Sequence, residues 1–315
     1  MTATLFEAET EVESALAVTP ATVAAMTGPE REDRVRQLVA ESKALVSAAI
    51  ERHVTGDGRE LAATCILYSG GNDSTTLVHM MRDVADYAVH ANTGIGIEES
   101  RKFVRRTCGE FGLPLIERAS PRPEDSYREM VLRDGFPGPA WHFRMYQRLK
   151  ERALSAVRSE LVSNPRKERV LFIAGRRRSE SARRATIPAM ERRGSIVWVS
   201  PLVNWTKLDL NTYRLMERDV PANRVSDLIH MSGECLCGSF ASPGERAEVD
   251  FWFPDALDLV RELEQLLAPR ADIPEHRKKW GWAADPEERR RERASKSGHL
   301  CSSCETSPIP GMESL

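Results

Sequence analysis

Residues 64–75 read Thr-Cys-Ile-Leu-Tyr-Ser-Gly-Gly-Asn-Asp-Ser-Thr, an apolar run that ends in a polar turn. The run Thr64–Tyr68 is typical of a buried strand, and the spacing over residues 74–84 predicts a helix. Gly70 and Gly71 let the backbone turn tightly and approach a ligand with no Cβ in the way. The N–H groups of the turn and of the helix start would form a nest for an anion, with added donors from the hydroxyls of Ser69, Ser74 and Thr75.

Asp73 lies within this turn, where its carboxylate would repel a phosphate group unless a cation stood between them. A Mg²⁺ ion bridging Asp73 and a nucleotide would remove that conflict. The alternative is a strand–helix turn that binds no ligand, with Asp73 or Ser74 serving only as the helix N-cap.

Strands and helices alternate along the chain after this turn. Apolar runs predict further strands over residues 86–91, 113–117, 169–174 and 195–199, and helical spacing predicts helices over residues 98–111, 143–162 and 207–218. Continuous apolar strands are typical of a sheet covered on both faces. We therefore expect an α/β fold with a doubly wound, mainly parallel, Rossmann-like sheet. Thr93 and Gly94 would lie at the carboxyl end of its second strand, facing the crevice where such sheets bind ligands.

Composition limits the class of protein. The chain has 315 residues, of which 41% are hydrophobic and 29% charged, and this excludes global disorder. No apolar stretch approaches the roughly 18–20 residues of a membrane span. The first ten residues lack a basic segment followed by an apolar one, so we expect no secretory signal and a cytoplasmic protein. A net charge of −2 excludes binding of nucleic acid by bulk charge, although not by a local patch.

Three regions are expected from the changes in composition. Residues 1–30 carry five Glu and no Lys or Arg, which predicts a flexible acidic leader. Residues 31–243 would form the nucleotide-binding domain, beginning with an amphipathic helix. Residues 244–315 would form a helical, charged C-terminal extension that ends in a cysteine pair.

Four segments in order resemble the phosphoadenosine phosphosulfate (PAPS) reductase family of the adenine nucleotide alpha-hydrolase superfamily. They cover about residues 64–243 and consist of the turn Ser-Gly-Gly-Asn-Asp-Ser, then Asn92-Thr93-Gly94 with Glu98-Glu99-Ser100, then Gly-Arg-Arg-Arg-Ser-Glu-Ser-Ala-Arg-Arg at 175–184, and finally Pro201-Leu202 with Trp205, Asp209 and Tyr213. Asn92 stands where the family usually has Asp. The resemblance implies a site for ATP, PAPS or adenylyl sulfate (APS), with Mg²⁺.

The segment 175–193 is rich in arginine, with seven Arg and two Glu. Arginine's planar guanidinium suits the oxygens of phosphate and sulfate. Arg177, Ser181 and Arg184 occupy the motif positions, so we expect them to contact the anion, with Arg177 and Arg184 offsetting charge in the transition state. A DNA or RNA backbone is another use for the excess positive charge.

Six cysteines do not form a disulfide framework in a chain of this length. Cys65 and Cys108 read as buried apolar residues. Cys235 and Cys237 form one close pair and Cys301 and Cys304 another, and together they would supply four thiolates for a [4Fe–4S] cluster or for zinc. A third possibility for these cysteines is a redox dithiol without metal.

The resemblance implies an ATP pyrophosphatase that adenylates an acceptor and so activates it for sulfur transfer, as in DNA phosphorothioation or RNA thiolation. Its sulfur donor would be a cysteine desulfurase or a thioredoxin-like protein. Two departures from the family weaken a competing function, sulfonucleotide reduction: the tail lacks the family's Glu-Cys-Gly motif, and the helix around Arg144–Lys150 lacks adjacent cysteines. Two functions without catalysis also compete, namely a nucleotide sensor and a nucleic-acid-binding accessory subunit.

Overall fold

The computed structural model describes residues 16–284, and its central element is one sheet. In the described residues this sheet has six strands in the order β3-β2-β1-β4-β6-β5. The strands are β1 Glu60–Leu67, β2 Tyr87–Ala91, β3 Leu115–Arg118, β4 Glu168–Ile173, β5 Met190–Arg193 and β6 Ile196–Val199. All neighbouring pairs are parallel except β5 and β6, which pair antiparallel. The predicted α/β fold with a mainly parallel sheet is therefore confirmed.

Helices cover both faces of the sheet and continue beyond it. They are α1 Pro20–Ala25, α2 Gly28–Ile50, α3 Asn72–Met81, α4 Glu98–Glu110, α5 Tyr127–Asp134, α6 His142–Tyr146, α7 Arg152–Leu161, α8 Lys207–Met216, α9 Arg224–Ile229, α10 Glu245–Trp252 and α11 Asp258–Leu267. A π-helical segment, Gln147–Glu151, separates α6 from α7, so the single helix expected over 143–162 is interrupted. None of the helices in residues 16–284 combines the length and the apolar character that crossing a membrane requires.

The order of the strands creates a crevice between β1 and β4. From β1 the chain adds β2 and then β3 on one side, and it later returns to add β4 on the other side of β1. In β1, Ile66 is level with Ala88 of β2 and with Ile173 of β4. The loops that leave β1 and β4 therefore begin side by side, at the position where open parallel sheets bind ligands.

Two apolar layers hold the sheet, and a third cluster lies beside it. The larger layer joins α2, α3 and α8 to the sheet, and its Trp205 is fully buried with Nε1 donating to Ser42 Oγ at 3.1 Å. The opposite layer packs Phe172 and Cys65 against α7. The third cluster joins α5, α10 and α11 and contains Cys237. The domain boundary expected at residue 243 stays a prediction, and residues 1–15 and 285–315 lie outside the described residues.

Candidate active site

The turn after β1 has the local geometry of an anion nest. Gly70 has φ +77°, a conformation that L side chains rarely adopt, and Gly71 is the N-cap residue of α3. The Ser74 hydroxyl donates to the Gly71 carbonyl at 3.0 Å and accepts from the Ser69 N–H at 3.3 Å. Ser74 thus holds the turn in shape, while Thr75 is buried and its Oγ1 lies 3.4 Å from the Tyr68 hydroxyl.

A buried asparagine, which the sequence did not single out, fixes this turn to the rest of the protein. Asn223 Nδ2 donates to the Gly70 carbonyl at 2.8 Å and lies 3.3 Å from Ser100 Oγ. Gly71 packs so closely on Ser232 that a Cβ at position 71 would lie 3.1 Å from the Ser232 Cβ. The turn is therefore held from the side of residues 223–232 as well as by its own hydroxyls.

Asp73 lies between two cationic side chains. The Arg177 Nε lies 2.7 Å from Asp73 Oδ2, and the Lys207 Nζ lies 3.5 Å from Oδ1. Arg177 is buried with a side chain 6% exposed, whereas the Asp73 side chain is 22% exposed. The loops after β1 and β4 meet at this ion pair, because a Cβ on Gly175 would lie 3.5 Å from the backbone of residues 73 and 74. Lys207 is a site residue that sequence reasoning missed.

The remaining motif residues of the arginine segment form two short 3₁₀ turns, Arg178–Glu180 and Ala182–Arg184. Arg184 pairs with Glu180, and burial raises the pKa of that Glu180 carboxyl although Arg184 opposes the rise. The Ser181 Oγ is buried and has no hydrogen-bond partner in the described residues. A buried hydroxyl without a partner is the kind of group that a bound ligand would satisfy.

Thr93 and Gly94 follow β2, as expected, but the Thr93 side chain is engaged within the protein. Its Oγ1 donates to the Glu234 carbonyl at 2.6 Å, and its N–H donates to Glu234 Oε1 at 3.0 Å. Gly94 has φ +73°, and a Cβ there would meet nothing within 4 Å. Gly94 therefore leaves open space for a ligand, although its N–H already donates to Asn92 Oδ1 at 2.9 Å. Thr93 braces the loop that carries the first cysteine pair.

Cys235 and Cys237 lie in that loop, whereas Cys301 and Cys304 lie outside the described residues. The hydrogen bond with Cys237, together with burial, holds the pKa of the Cys235 thiol well above its usual range. Contacts with Cys235, His142 and Ser239 lower the pKa of Cys237, whose Sγ lies 3.3 Å from Ser239 Oγ. Cys65 and Cys108 are buried, as expected, and burial raises the pKa of each thiol to about 12.

The described residues do not by themselves complete a metal centre. Between residues 16 and 284, no group of three or more His, Cys, Asp or Glu side chains is arranged to hold a metal ion. They supply two of the four thiolates expected for a cluster or for zinc, so the metal assignment stays a prediction.

Residues 63–228 match the phosphoadenosine phosphosulfate reductase domain, which is more than half of the chain. The chain belongs to the PAPS reductase family. This confirms the resemblance carried by the four motifs and, with the parallel sheet, the adenine nucleotide alpha-hydrolase-like fold. Among curated proteins, none matches this family member.

Solved structures similar to this family member include enzymes with different activities. PAPS reductase from Candida auris, as a phosphate complex, is 17% identical with a TM-score of 0.42, over 62% of this chain and 91% of the other. FMN adenylyltransferase from Candida glabrata, with FAD and inorganic pyrophosphate, is 10% identical with a TM-score of 0.44, and this chain spans only 62% of its length. The U34-tRNA thiolase NcsA from Methanococcus maripaludis, with its [4Fe-4S] cluster, is 13% identical with a TM-score of 0.37, over 74% of this chain and 80% of the other.

Proposed function

We propose that this family member is a cytoplasmic enzyme that binds ATP with Mg²⁺ and cleaves it between the α- and β-phosphates to adenylate an acceptor for sulfur transfer. The observation that carries the proposal is the meeting of two loops at the switch point of the sheet. There the glycine turn after β1 faces Arg177 from the loop after β4, and Arg177 and Lys207 both approach Asp73. Backbone N–H groups, cations and a carboxylate in one crevice suit a polyphosphate with its metal.

In the proposed reaction, an oxygen of the acceptor attacks the α-phosphorus of ATP and the bond to the bridging oxygen breaks. The electron pair of that bond leaves with pyrophosphate, which the turn at Ser69–Thr75 would hold through its N–H groups. Arg177 and Arg184 would offset the charge that develops on the α-phosphate as the adenylyl group is transferred. Mg²⁺ held by Asp73 would neutralise the pyrophosphate as it leaves. The outer sulfur of a persulfide then attacks the adenylated acceptor and displaces AMP. A second thiol breaks the S–S bond, so that the acceptor exchanges its oxygen for sulfur and the two thiols are left as a disulfide.

The sulfur would come from a cysteine desulfurase or a thioredoxin-like donor, and Cys235 and Cys237 would receive it or contribute to a [4Fe–4S] or zinc centre. Thiolates are the ligands that either metal centre prefers. The hydrogen bond between the two thiols also suits a pair in which one sulfur is nucleophilic while the other keeps its proton.

We further propose that the acceptor is DNA or RNA presented as a single strand. Phe143 and Tyr146 lie three residues apart on α6, with side chains 67% and 40% exposed, so they share one helix face. Tyr146 lies close enough to Arg176 to influence its pKa, and Arg176 immediately precedes Arg177 and stacks over Trp198 at 5.5 Å. Exposed aromatic rings beside arginine are suited to stacking with unpaired bases.

The main proposal is tested by incubating the protein with α-labelled and γ-labelled ATP and identifying the products. The expected result is AMP and pyrophosphate, with formation reduced by at least about a hundredfold in Arg177→Met, because the charge stabilisation of one such group is worth about 3 kcal/mol. ADP and phosphate as products would contradict cleavage at the α-phosphorus.

Parallel assays separate the competing functions. Release of sulfite from PAPS with a thiol reductant, and no AMP from ATP, would favour a sulfonucleotide reductase. Binding of ATP without any product would favour a sensor, and binding of an oligonucleotide without nucleotide turnover would favour an accessory subunit.

The acceptor proposal is tested by fluorescence anisotropy with a labelled single-stranded oligonucleotide. Phe143→Ala is expected to weaken binding about tenfold, because one base–aromatic stack is worth about 1–3 kcal/mol. Phe251→Ala is the matched control, since Phe251 is 73% exposed but follows the acidic residues Glu248 and Asp250. Equal effects of the two changes would contradict a stacking surface on α6.

A further inference from the structure

A buried pair, His90 and Glu234, connects three loops that border the candidate site. His90 lies on β2 and is fully buried, and Glu234 precedes Cys235 and is 2% exposed. The His90 Nε2 and the Glu234 Oε2 lie 2.8 Å apart, although the contact between them does not have the alignment of an ideal hydrogen bond. Ionisable groups this deeply buried are rare unless they are paired.

Each end of the pair is attached to a different wall of the crevice. The His90 Nδ1 lies 2.8 Å from the carbonyl of Tyr68, the residue that leads directly into the glycine turn. The Glu234 Oε1 accepts the N–H of Thr93, at the start of the loop after β2. The Glu234 main chain is held as well, since its carbonyl accepts from Thr93 Oγ1 and a Cβ on Gly96 would lie 2.5 Å from that same oxygen.

The chemistry of the contacts fixes where the protons lie. A carbonyl only accepts, so the His90 Nδ1 must carry a hydrogen to bond Tyr68. The Nε2 can then bond a carboxylate only if a further proton is shared between the two groups. A glutamine at position 234 would also complete these bonds, because its amide oxygen could accept from Thr93 while its NH₂ donates to a neutral His90.

We propose that His90 and Glu234 are positioning residues, which hold the base of the glycine turn and the Thr93–Gly94 wall at a fixed separation so that both can contact one nucleotide. The inference rests on the proposed nucleotide site. It assigns to this pair a role that depends on the length of the Glu234 side chain rather than on its charge. A rigid connection between two ligand-binding loops reduces the conformational entropy that the loops would otherwise lose when the ligand binds.

Two substitutions distinguish the effect of the length of the Glu234 side chain from the effect of its charge. Glu234→Asp keeps the carboxylate but shortens the side chain by one carbon–carbon bond of about 1.5 Å. Glu234→Gln keeps the reach and the hydrogen bonds but removes the charge. Asp86→Ala is the control, because Asp86 also accepts a main-chain N–H, that of Thr64 at 2.7 Å, yet it precedes the start of β2, about 13 Å from His90 along the strand.

The measurements are the Kd for MgATP by calorimetry and the hydrogen exchange of amides 68–75 in nucleotide-free protein. We expect Glu234→Asp to weaken MgATP binding about tenfold and to speed exchange in the turn, and Glu234→Gln and Asp86→Ala to do neither. The inference would be overturned if Glu234→Gln weakened MgATP binding and sped exchange as much as Glu234→Asp or more, or if neither substitution had an effect. If the wild-type protein does not bind MgATP, the proposed function fails, whereas the exchange rates still decide whether the pair positions the turn.

Discussion

Asp73→Asn tests whether Asp73 is a metal ligand or only the partner of Arg177. The carboxylate lies 2.7 Å from Arg177 Nε and 3.5 Å from Lys207 Nζ, and its side chain is 22% exposed. If Asp73 is a metal ligand, it strengthens the binding of a magnesium–pyrophosphate complex and weakens the binding of pyrophosphate alone. If Asp73 is only the partner of Arg177, its negative charge weakens the binding of both ligands. The effect of the substitution should therefore change sign with Mg²⁺ only if Asp73 binds the metal.

The magnitude follows from Coulomb's law. Two unit charges about 5 Å apart at an effective permittivity of about 20 interact by about 3 kcal/mol. Partial exposure of Asp73 and screening by salt reduce this to about 1–2 kcal/mol, which is about a 5- to 30-fold change in affinity. Asparagine can still accept from Arg177, so we expect the free energy of unfolding to fall by only about 1–2 kcal/mol.

The assay is calorimetric titration with pyrophosphate in EDTA and again with Mg²⁺. In EDTA, Asp73→Asn should bind pyrophosphate about 5- to 30-fold more tightly than the wild type, and with Mg²⁺ it should bind more weakly. Asp57→Asn is the control, because Asp57 also pairs with an arginine, Arg192 at 3.6 Å, but precedes β1 at the other end of the sheet. Tighter binding by Asp73→Asn under both conditions would refute the metal-ligand role.

Three further changes test the fold around the site. Gly96→Ala places a Cβ 2.5 Å from the Glu234 carbonyl oxygen and should lower both the thermal midpoint and the affinity for MgATP, read by calorimetry. Trp205→Ala empties a fully buried site and should lower the free energy of unfolding by about 3–5 kcal/mol in a urea titration. Burial raises the pKa of the Glu245 carboxyl, although hydrogen bonds from Ser242 oppose the rise. The folded protein therefore favours the protonated carboxyl, and the free energy of unfolding falls as pH rises above the ordinary glutamate pKa of 4.5. Glu245→Gln should therefore melt higher than the wild type at pH 8 and show no advantage at pH 4, and the reverse order would contradict that sign.

The parallel part of the sheet was predictable because each central strand is buried on both faces and reads as an apolar run. β4, with the sequence Glu-Arg-Val-Leu-Phe-Ile, and β6, Ile-Val-Trp-Val, are of this kind. β5 was not predicted, since Met-Glu-Arg-Arg has no apolar run and lies at the sheet edge with Arg192 and Arg193 exposed. Pairing with β6, rather than the composition of β5, makes that segment a strand.

The candidate site was predictable only in part, because motifs mark the residues of the crevice but not the residues that hold them in place. The glycine turn and Arg177 were found from local sequence. Asn223, which bonds the carbonyl of Gly70, and Glu234, which bonds Thr93, lie 153 and 141 residues away from their partners. No periodicity or spacing in one sequence connects positions so far apart, and only the fold brings them together.

The fold lowers the positive charge that the arginine segment offers to a polynucleotide, and the salt dependence of binding would measure the difference. Seven Arg and the two carboxylates Glu180 and Glu191 give the segment a local charge of +5, but the fold brings two further carboxylates, Asp57 and Asp73, against Arg192 and Arg177. A net charge of about +3 is then available to a polynucleotide, and log K for a single strand should fall with log salt with a slope of about −2.1, rather than about −3.5 for five phosphate contacts. A slope near −3.5 in anisotropy titrations between 50 and 200 mM salt would mean that the strand displaces these carboxylates, since each ion pair that opens restores one positive charge for a phosphate.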